Sequence, residues 1–425
     1  MPPHAQYGFE WGKTTFGAEP RWTQEPSIDA LKDIVKDELG QSQACIVTFL
    51  AQGGFNKVYK VQHDDAEYIM RVTLPVDPRH KTQSEAATLD FIQQNTDAPV
   101  PTVIAFDASN DNALRFEWML LEHMPGKPLR QHWKSLPLES KRALVKRIAL
   151  HVVQLFRARI QGIGNLYHSA TSRDDAVDQT KFRVGQIVSN EFFWDDRSTQ
   201  DFPRGPFRSS RSWLHARLLV HRHESKDIIE TSRDEDDIDM AEQVAILERR
   251  LAALLPSIFK FNLNHEVEET ALFHDDLSQQ NIMVDEDGNL TAIIDWECVS
   301  ALPLWRVCQI PYFLRGRERM EMPNRSTYAM DENGLAEDGE INEVYVQHLL
   351  QYEQTELRKE FLNEIKNIEP AWFAIYSSDL NLRKADFETA VNYIDDEFCI
   401  KLISKWLDDV AAGEDVPSLQ KMLLE

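Results

Sequence analysis

Cysteine, positive charge and long apolar runs are all scarce in this chain of 425 residues. The 4 cysteines are far apart and form no CxxC pair, so neither a disulfide framework nor a zinc site is indicated. The 46 lysines and arginines stand against 70 acidic residues, and the net charge of -24 disfavours nucleic acid and anionic membranes as partners. No run approaches the length of a membrane span, and positions 1–17 lack the pattern of a secretory leader. We therefore expect a cytoplasmic protein with no membrane span, and its oligomeric state stays open.

The stretch from Leu272 to Trp296 places a polar run among apolar segments. Two apolar runs flank the turn residues Asp285 to Asn289, and this turn chemistry predicts a β-hairpin. The hairpin would bring Asp295, at the end of its second strand, back beside the polar run His274 to Asn281 that precedes its first strand. The sequence therefore predicts that oxygen-bearing side chains converge at this end of the hairpin.

The converging side chains are Asp276, Asn281 and Asp295. Asp276 precedes Asn281 by five residues, which is the spacing between the base and a metal ligand in the kinase pattern H-x-D-x-x-x-x-N. This set suits phosphoryl transfer, in which the protein positions the reactants, holds Mg²⁺ on the phosphates and accepts the proton of the attacking hydroxyl. The alternative is a solvated acidic loop before an ordinary hairpin, because the pattern also arises by chance in long chains.

A glycine turn lies far upstream, between two predicted strands in Ile46 to Val61. Gly53 and Gly54 form the turn, and glycines let backbone amides approach phosphates, so the turn could cover the phosphates of ATP. Only two glycines are present, fewer than in G-x-G-x-x-G. An ordinary hairpin turn is therefore the alternative.

Arg71 lies on a third predicted strand, where kinases carry the lysine that grips the phosphates. A guanidinium keeps the positive charge and can bind phosphate bidentately, although it is not interchangeable with an ammonium. Glu85, fourteen residues later, is on a predicted helix from Ser84 to Ile92 and could form an ion pair with Arg71. The alternatives are an exposed strand arginine and a helical surface glutamate.

The polar run and the end of the hairpin together resemble the signature of the aminoglycoside phosphotransferase and choline kinase-like family, in its fungal branch. The residues that carry this resemblance are His274 to Asn281, Ile293 to Trp296, Phe192 to Trp194, Arg204 to Phe207 and Trp296 to Ser300. The similarity extends from about Val47 to about Gly316. It implies a kinase-like fold that uses ATP and Mg²⁺ to phosphorylate hydroxyls of small molecules.

The resemblance also implies a role for each candidate residue. Asp276 would be the base, and Asn281 and Asp295 would hold magnesium. Among the predicted nucleotide-binding residues, Gly53 and Gly54 would cover the phosphates, Arg71 would bind them, and Glu85 would hold Arg71 in place. Glu122 begins a hinge that matches the family's E-x-x-P-G linker, where backbone groups would contact adenine. His274 would brace the loop and have no chemical role.

The expected architecture is a two-lobed α+β fold of the protein-kinase type, with a small antiparallel β lobe and a larger, mainly helical lobe. The predicted divisions are an extension with one helix at 1–45, a nucleotide-binding β lobe at 46–124, and a helical lobe with the catalytic loop and substrate site at 125–425. Helices are predicted at Ile28 to Leu39, Leu138 to Ile160, Glu343 to Tyr376 and Lys384 to Ala412. The charged stretch 222–239 predicts a mobile loop or a solvated helix start.

The sequence thus predicts an ATP- and Mg²⁺-dependent kinase of a small-molecule alcohol. Asp195, Asp196 and Glu297 lie near aromatic residues in the sequence, which suggests a pocket for a hydroxylated amine. One alternative is a kinase-fold scaffold that binds nucleotide with little turnover. A protein kinase is disfavoured, because Ser278 stands where protein kinases have lysine and no activation segment follows. The identity of the alcohol and the choice between ATP and GTP stay open.

Overall fold

The computed structural model describes residues 7–14, 17–41, 45–169, 181–260, 266–329, 331, 335, 342–413 and 417–424. The chain divides into two compact units. Unit 1 consists of Met1–Met124, Ala158–His274 and Ile294–Pro303, and unit 2 consists of Pro125–Arg157, Asp275–Ile293 and Leu304–Glu425. Residues 158–274, which the predicted division assigns to the helical lobe, group by their contacts with unit 1.

Strands and helices alternate unevenly along the chain. The strands are β1 (Phe9–Thr14), β2 (Gly17–Trp22), β3 (Cys45–Gln52), β4 (Asn56–His63), β5 (Ala66–Thr73), β6 (Val103–Asp107), β7 (Glu117–Glu122), β8 (Lys127–Pro128), β9 (Ile160–Gln161), β10 (Gly164–His168), β11 (Phe182–Val184), β12 (Glu269–Phe273), β13 (Ile282–Val284), β14 (Leu290–Ile293) and β15 (Ser300–Pro303). The α-helices are α1 (Ile28–Leu39), α2 (His80–Asn95), α3 (Leu129–His132), α4 (Leu138–Arg157), α5 (Asn190–Phe193), α6 (Ser210–Thr231), α7 (Glu235–Ile258), α8 (Leu304–Val307), α9 (Glu343–Ile368), α10 (Pro370–Tyr376), α11 (Asp379–Asn392), α12 (Ile400–Ala412) and α13 (Leu419–Leu424).

The first sheet of unit 1 has the strand order β3-β4-β5-β7-β6, with every neighbouring pair antiparallel. Its apolar side chains form one core cluster with Leu31 and Val35 of α1 and Phe193 of α5. The α+β class and the antiparallel sheet expected from the sequence are confirmed. Arg71 is central in this sheet, paired in register with Val58 on one side and Met119 on the other.

The second sheet of unit 1 has the order β11-β10-β15-β12-β9, and α2 packs against β10. The side-chain amide of Asn165 on β10 donates to the hydroxyl of Ser84 on α2 at 2.8 Å, and both residues are buried. Asn165 also accepts hydrogen bonds from the backbone of Val188 and the hydroxyl of Ser300, at 3.0 and 2.6 Å. One buried amide thus joins three segments that are far apart in sequence, which explains why residues 158–274 belong with unit 1.

The amino-terminal part of unit 1 contains the predicted helix and one unpredicted hairpin. Helix α1 begins after Ser27, whose hydroxyl caps the first turn, and ends at Gly40, which adopts a φ of 95°. Strands β1 and β2 pair antiparallel from Phe9 opposite Trp22 to Thr14 opposite Gly17. The sequence did not predict this hairpin because β2 carries a glycine and a proline, which lower its strand propensity.

Unit 2 is mainly helical, with α4 packed along α9. Lys141 on α4 and Glu353 on α9 form a buried ion pair at 2.6 Å. The predicted helix at 343–376 is interrupted before Pro370, whose ring cannot continue a helix, and the predicted helix at 384–412 is interrupted between α11 and α12. The charged stretch 222–239 lies on the end of α6 and the start of α7, so only the helix-start part of that prediction agrees with the structure.

Candidate active site

The predicted hairpin of the catalytic stretch is present in unit 2. Strands β13 and β14 pair antiparallel, with Ile282 opposite Ile293. The carboxylate of Asp285 accepts hydrogen bonds from the backbone amides of Asp287 and Asn289 at 3.0 and 2.8 Å, which closes the turn. Gly288 has a φ of 87°, a backbone conformation that side chains rarely adopt, which favours glycine at this position.

Asp276 and Asn281 contact each other in the loop before this hairpin. The side-chain amide of Asn281 donates to the backbone carbonyl of Asp276 at 2.9 Å and to its carboxylate at 3.0 Å. The backbone amide of Ser278 also donates to the Asp276 carbonyl, at 2.8 Å. Asn281 is buried and Asp276 is exposed. The loop therefore holds one carboxylate in a fixed position at the surface of unit 2, where it can accept a proton.

The preceding residue, Asp275, has a different environment. Its carboxylate accepts from Arg306 at 2.8 Å, and the same guanidinium pairs with the buried Glu388 at 2.7 Å. Burial alone would lower the pKa of Arg306, but the two carboxylates raise it above its usual range. Arg306 was not predicted from the sequence, because nothing local marks its partners. Both aspartates are exposed, but Asp275 anchors the loop through Arg306, whereas the carboxylate of Asp276 is held by the neutral amide of Asn281.

In unit 1, Arg71 on β5 forms the predicted ion pair with Glu85 on α2, between Nη2 and Oε2. Both side chains are buried, and the Nε of Arg71 has no hydrogen-bond partner among the described residues. Burial would lower the pKa of Arg71, but Glu85, Glu297 and Asp295 raise it. A buried guanidinium is thus held in place by one carboxylate while one of its donors stays unused.

A second buried ion pair lies one helical turn earlier on α2, where Lys81 contacts Glu297. Glu297 also accepts from the side-chain amide of Asn56 at 2.7 Å, and Asn56 in turn accepts from the hydroxyl of Thr73 at 2.9 Å. Sequence reasoning missed Lys81. Its position four residues before Glu85 is a signal, since residues at that spacing lie on one face of a helix.

Asp295 lies in unit 1, two residues before Glu297. Its φ of 65° is in the left-handed region, as is the φ of 59° at Cys298. Burial and, next, the charge of Glu297 raise the pKa of Asp295 to about 7, against the lowering effect of Arg71. Lys81 and Arg71 lower the pKa of Glu297 itself, against burial. Of the two carboxyls, Asp295 is the one whose negative charge is less fully balanced by protein cations.

The oxygen donors fit magnesium. Asp295 provides a carboxylate, the ligand type that Mg²⁺ prefers, and a cation beside it would supply the missing positive charge. The hydrogen bonds that the Asn281 side chain makes to Asp276 both use its Nδ2, so its amide oxygen is not used in them. Within the described ranges, no three His, Cys, Asp or Glu side chains cluster as a metal site of protein ligands alone. A magnesium that takes its other ligands from phosphates and water agrees with that finding.

The other predicted nucleotide residues are in unit 1. Gly53 and Gly54 follow β3, both are exposed, and no atom of the described chain lies within 4 Å of a Cβ placed on either. The carboxylate of Glu122 accepts from the backbone amide and the hydroxyl of Thr102 at 3.2 and 2.7 Å. The backbone amide of Glu122 also donates to the carbonyl of Thr102 at 2.9 Å. Glu122 therefore anchors β7 to the segment before β6, and the predicted contact with adenine is left to the backbone that follows it.

The three acidic residues of the predicted amine pocket have different environments. Asp195 and Asp196 follow α5 at the surface of unit 1, and burial and the neighbouring Asp196 raise the pKa of Asp195. Glu297, the third acid of the predicted amine pocket, is engaged by Lys81 and Asn56. His274 donates from Nε2 to the carbonyl of Ile294 at 3.1 Å and packs on Trp296, as a bracing residue does.

Comparison with known proteins gives a family and several distant relatives. The model of the Phosphotransferase enzyme family matches residues 46–305. The chain is 26% identical over 341 residues to a subtelomeric hrmA-associated cluster protein of Aspergillus fumigatus, covering 70% of this chain and 66%, just under two thirds, of that relative. It is 19% identical over 465 aligned residues to altered inheritance of mitochondria protein 9, mitochondrial, of Saccharomyces cerevisiae, covering 95% of this chain and 72% of that protein.

Among solved structures, a thermostable mutant of an aminoglycoside phosphotransferase in ternary complex with ADP and hygromycin B is similar to this chain. The identity is 12%, the TM-score is 0.44, and the match covers 91% of this chain and 100% of that one. In the part of the chain that the structure describes, no helix is long and apolar enough to cross a membrane.

Proposed function

This chain belongs to the Phosphotransferase enzyme family, and we propose from that premise that it transfers the γ-phosphoryl group of ATP to a hydroxyl of a small molecule. The observation that carries the proposal is the contact of Asn281 with Asp276, which fixes an exposed carboxylate five residues before an amide ligand. Phosphoryl transfer needs that pair, because the protein mainly positions reactants and balances charge in this reaction.

Asp276 has the role of the base in this proposal. The alcohol oxygen forms a new bond to the γ-phosphorus while the bond from that phosphorus to the bridging oxygen breaks, and ADP leaves. The proton of the alcohol passes to the Asp276 carboxylate. A positioned acid or base contributes about 10²–10⁴-fold in rate. Its exposure on unit 2 supports this role, because a substrate hydroxyl can reach it.

Arg71 has the role of the phosphate-binding cation. The pairing with Glu85 fixes the guanidinium, and the unused Nε supports a contact to an anion that the protein itself does not supply. Gly53 and Gly54 would cover the phosphates through backbone amides, which the open space beside them permits. The backbone that follows Glu122 would meet adenine.

Magnesium, bound with the nucleotide, would neutralise negative charge on the phosphates. Asp295 would supply it with one carboxylate oxygen, and Asn281 stays the second ligand predicted from the sequence. The high pKa of Asp295, which burial and Glu297 raise to about 7, supports a cation beside this carboxylate. The left-handed backbone at Asp295 also supports a functional role, since strained conformations are retained where a side chain must point in one direction.

The acceptor is proposed to be a small-molecule alcohol. Asp195 and Asp196 support a hydroxylated amine as one class of acceptor, because exposed carboxylates can pair with an ammonium. Glu297 does not support it, since Lys81 and Asn56 already bind its carboxylate. Location in the cytoplasm stays a prediction, and the name of the Saccharomyces cerevisiae relative is a reason to test it by cell fractionation.

A screen for transferred phosphate tests the function. Wild type and Asp276→Asn are incubated with labelled ATP, magnesium and a fractionated metabolite extract, and labelled products are separated from phosphate and ATP. We expect a labelled metabolite with wild type and almost none with Asp276→Asn. Nucleotide binding with no labelled product in any fraction would favour the scaffold alternative. A labelled protein band instead of a metabolite would favour a protein kinase.

A further inference from the structure

Arg315, which follows Leu314 in unit 2, carries a positive charge that no described carboxylate balances by direct contact. Its Nε donates to the carbonyl of Ile310 at 3.1 Å, and its guanidinium lies 5.8 Å from the ring centroid of Tyr312. Its Nη2 is buried without a hydrogen-bond partner among the described residues. The residue as a whole is half-buried.

The carboxylates around Arg315 are already engaged by another arginine. Asp275 and Glu388 both pair with Arg306, at 2.8 and 2.7 Å. Burial lowers the pKa of Arg315, and the positive charge of Arg306 lowers it further, while Asp275 and Glu388 raise it only in part. A guanidinium does not deprotonate under these conditions. The charge therefore stays, and a bound anion would stabilise it.

The backbone around Arg315 is held rigidly by α9. Arg358 donates from Nη1 to the carbonyls of Leu314 and Gly316, both at 3.0 Å. Gln354 donates from Nε2 to the carbonyls of Phe313 and Arg315 at 3.1 and 2.5 Å. Four consecutive carbonyls are thus fixed by two side chains of one helix. A site on this segment would be formed before a ligand binds, which reduces the entropic cost of binding.

The same segment is attached to the loop that carries the proposed base. The backbone amide of Phe313 donates to the carbonyl of Leu277 at 2.9 Å, and Leu277 follows Asp276. Arg306 makes a second connection through Asp275, the residue before Asp276. An anionic group on Arg315 would therefore be held close to the catalytic loop, within the same unit.

A cavity of about 640 Å³ lies along the continuation of this segment. The side chains that line it include Arg317, Arg319, Glu318, Glu321, His348 and Gln351. Small-molecule sites commonly measure about 300–1,000 Å³, so the volume suits a metabolite. Both glutamates are exposed, and water screens exposed charges strongly. The half-buried Arg319 therefore has a larger influence than these glutamates on which charge the cavity accepts.

We propose that the acceptor alcohol carries an oxyanion, a carboxylate or a phosphate, and that Arg315 binds it while the hydroxyl of the same molecule meets Asp276. The planar guanidinium binds either oxyanion through paired N–H···O contacts. Arg319, four residues further along the chain, lines the neighbouring cavity. This inference rests on the proposed kinase function, and it names an anionic class of acceptor in place of the hydroxylated amine expected from Asp195 and Asp196. A protein with a net charge of -24 repels anions in general, so such an anion needs a local cation.

A matched panel of three-carbon alcohols tests the inference. Glycerol, glycerate, glycerol 3-phosphate and 2-amino-1,3-propanediol are neutral, carboxylate, phosphate and cationic members of one skeleton. Binding of each is measured by calorimetry without nucleotide, and phosphate transfer is measured with ATP and magnesium. Wild type is compared with Arg315→Gln, Arg315→Lys and the control Arg325→Gln, which removes an exposed arginine of the same unit.

We expect the two anionic members to bind best and Arg315→Gln to weaken them by roughly 10- to 100-fold, as for loss of a charged hydrogen bond. Arg315→Lys should recover part of that loss, and Arg325→Gln should equal wild type. The comparison of glycerate with glycerol 3-phosphate identifies which oxyanion is preferred. Equal binding of all four alcohols, preference for the amine, or an equal effect of Arg315→Gln on all four would overturn the inference.

The binding measurements and the phosphate-transfer measurements together separate this inference from the proposed function. Arg315-dependent anion binding without phosphate transfer keeps the site and removes the kinase proposal. Transfer to glycerol or the amine without anion preference keeps the kinase and removes the site. If Arg315→Gln does not fold, as judged by its melting temperature, the ranking of the four alcohols by wild type and the Arg315→Lys variant decide.

Discussion

The ammonium of Lys81 and the carboxylate of Glu297 form a buried ion pair between residues 216 positions apart in the chain. Lys81 comes from α2 and Glu297 from the segment that also holds Asp295. Burial would lower the pKa of Lys81, but Glu297 raises it, so the lysine stays charged. This pair and the Arg71–Glu85 pair both attach α2 to the proposed nucleotide-binding residues of unit 1.

Replacing Lys81 should destabilise the protein strongly. Lys81→Met leaves the Glu297 carboxylate buried with only Asn56 as a partner, and breaking a buried ion pair costs about 3–5 kcal/mol. The double variant Lys81→Met, Glu297→Met should recover most of that loss, because no unpaired charge remains. Urea unfolding of wild type, both single variants and the double variant measures the coupling. Additive losses in this cycle would contradict a direct interaction.

Two neighbouring aspartates should respond differently to the same substitution. Asp276→Asn should lower phosphate transfer by about 10²–10⁴-fold while the melting temperature stays close to that of wild type. Asp275→Asn removes one partner of the buried Arg306, so it should lower the melting temperature more than the rate. Steady-state kinetics and thermal unfolding of both variants make the comparison. Similar rates for Asp276→Asn and wild type would remove Asp276 from the mechanism.

Substitution of Arg71 should affect ATP more than the acceptor. Arg71→Ala should raise the KM for ATP and lower kcat, because the proposed phosphate contact is lost and Glu85 is left buried without it. Arg71→Lys keeps the charge and should retain partial activity. Arg142→Ala, which breaks an exposed pair with Glu139, is the control. The same KM for ATP in wild type, Arg71→Ala and Arg71→Lys would exclude Arg71 from nucleotide binding.

The carboxylate of Asp295 should be required for the effect of magnesium on nucleotide binding. We expect ATP to bind wild type more tightly with magnesium than with a chelator present, and Asp295→Ala to lose most of that difference. Binding in the chelator should change less, since Arg71 is still present. Calorimetric titrations under the two conditions provide both numbers. An unchanged magnesium effect in Asp295→Ala would assign the metal to other ligands.

The stability contribution of Glu117 should depend on pH. Burial raises the pKa of Glu117 to about 7, although Thr82 and the backbone amide of Arg79 donate to its carboxylate. The folded protein therefore holds this proton more tightly than the unfolded chain, and stability falls by up to about 1.4 kcal/mol per pH unit as pH rises between the two pKa values. Above about pH 7 this contribution is constant.

The variant Glu117→Gln isolates this group. The melting temperature of wild type relative to that of Glu117→Gln should fall between pH 5 and about 7 and then level off, because glutamine has no proton to lose. Differential scanning at four or five pH values measures the difference. A difference that rises with pH, or stays flat, would show that Glu117 is ionised throughout this range.

Local patterns in the sequence predicted much of the fold and part of the candidate site. The hairpin after Asn281 follows from turn chemistry and apolar runs, and helix α1 follows from its periodicity and Gly40. The Asp276–Asn281 contact also spans only five residues. Such features can be predicted because hydrogen bonds and side-chain periodicity within a few residues depend little on the rest of the chain.

Contacts between distant segments were decided by tertiary structure alone. Lys81 forms an ion pair with Glu297, and Arg306 forms ion pairs with Asp275 and Glu388. Arg315 contacts no carboxylate in the part of the chain that the structure describes. A charged residue gives no sign in sequence of whether it will be buried, and burial is what makes its partner necessary. The sequence therefore determined which side chains were available for the chemistry. The packing of strands and helices decided which charges are neutralised inside the protein and which remain for a ligand.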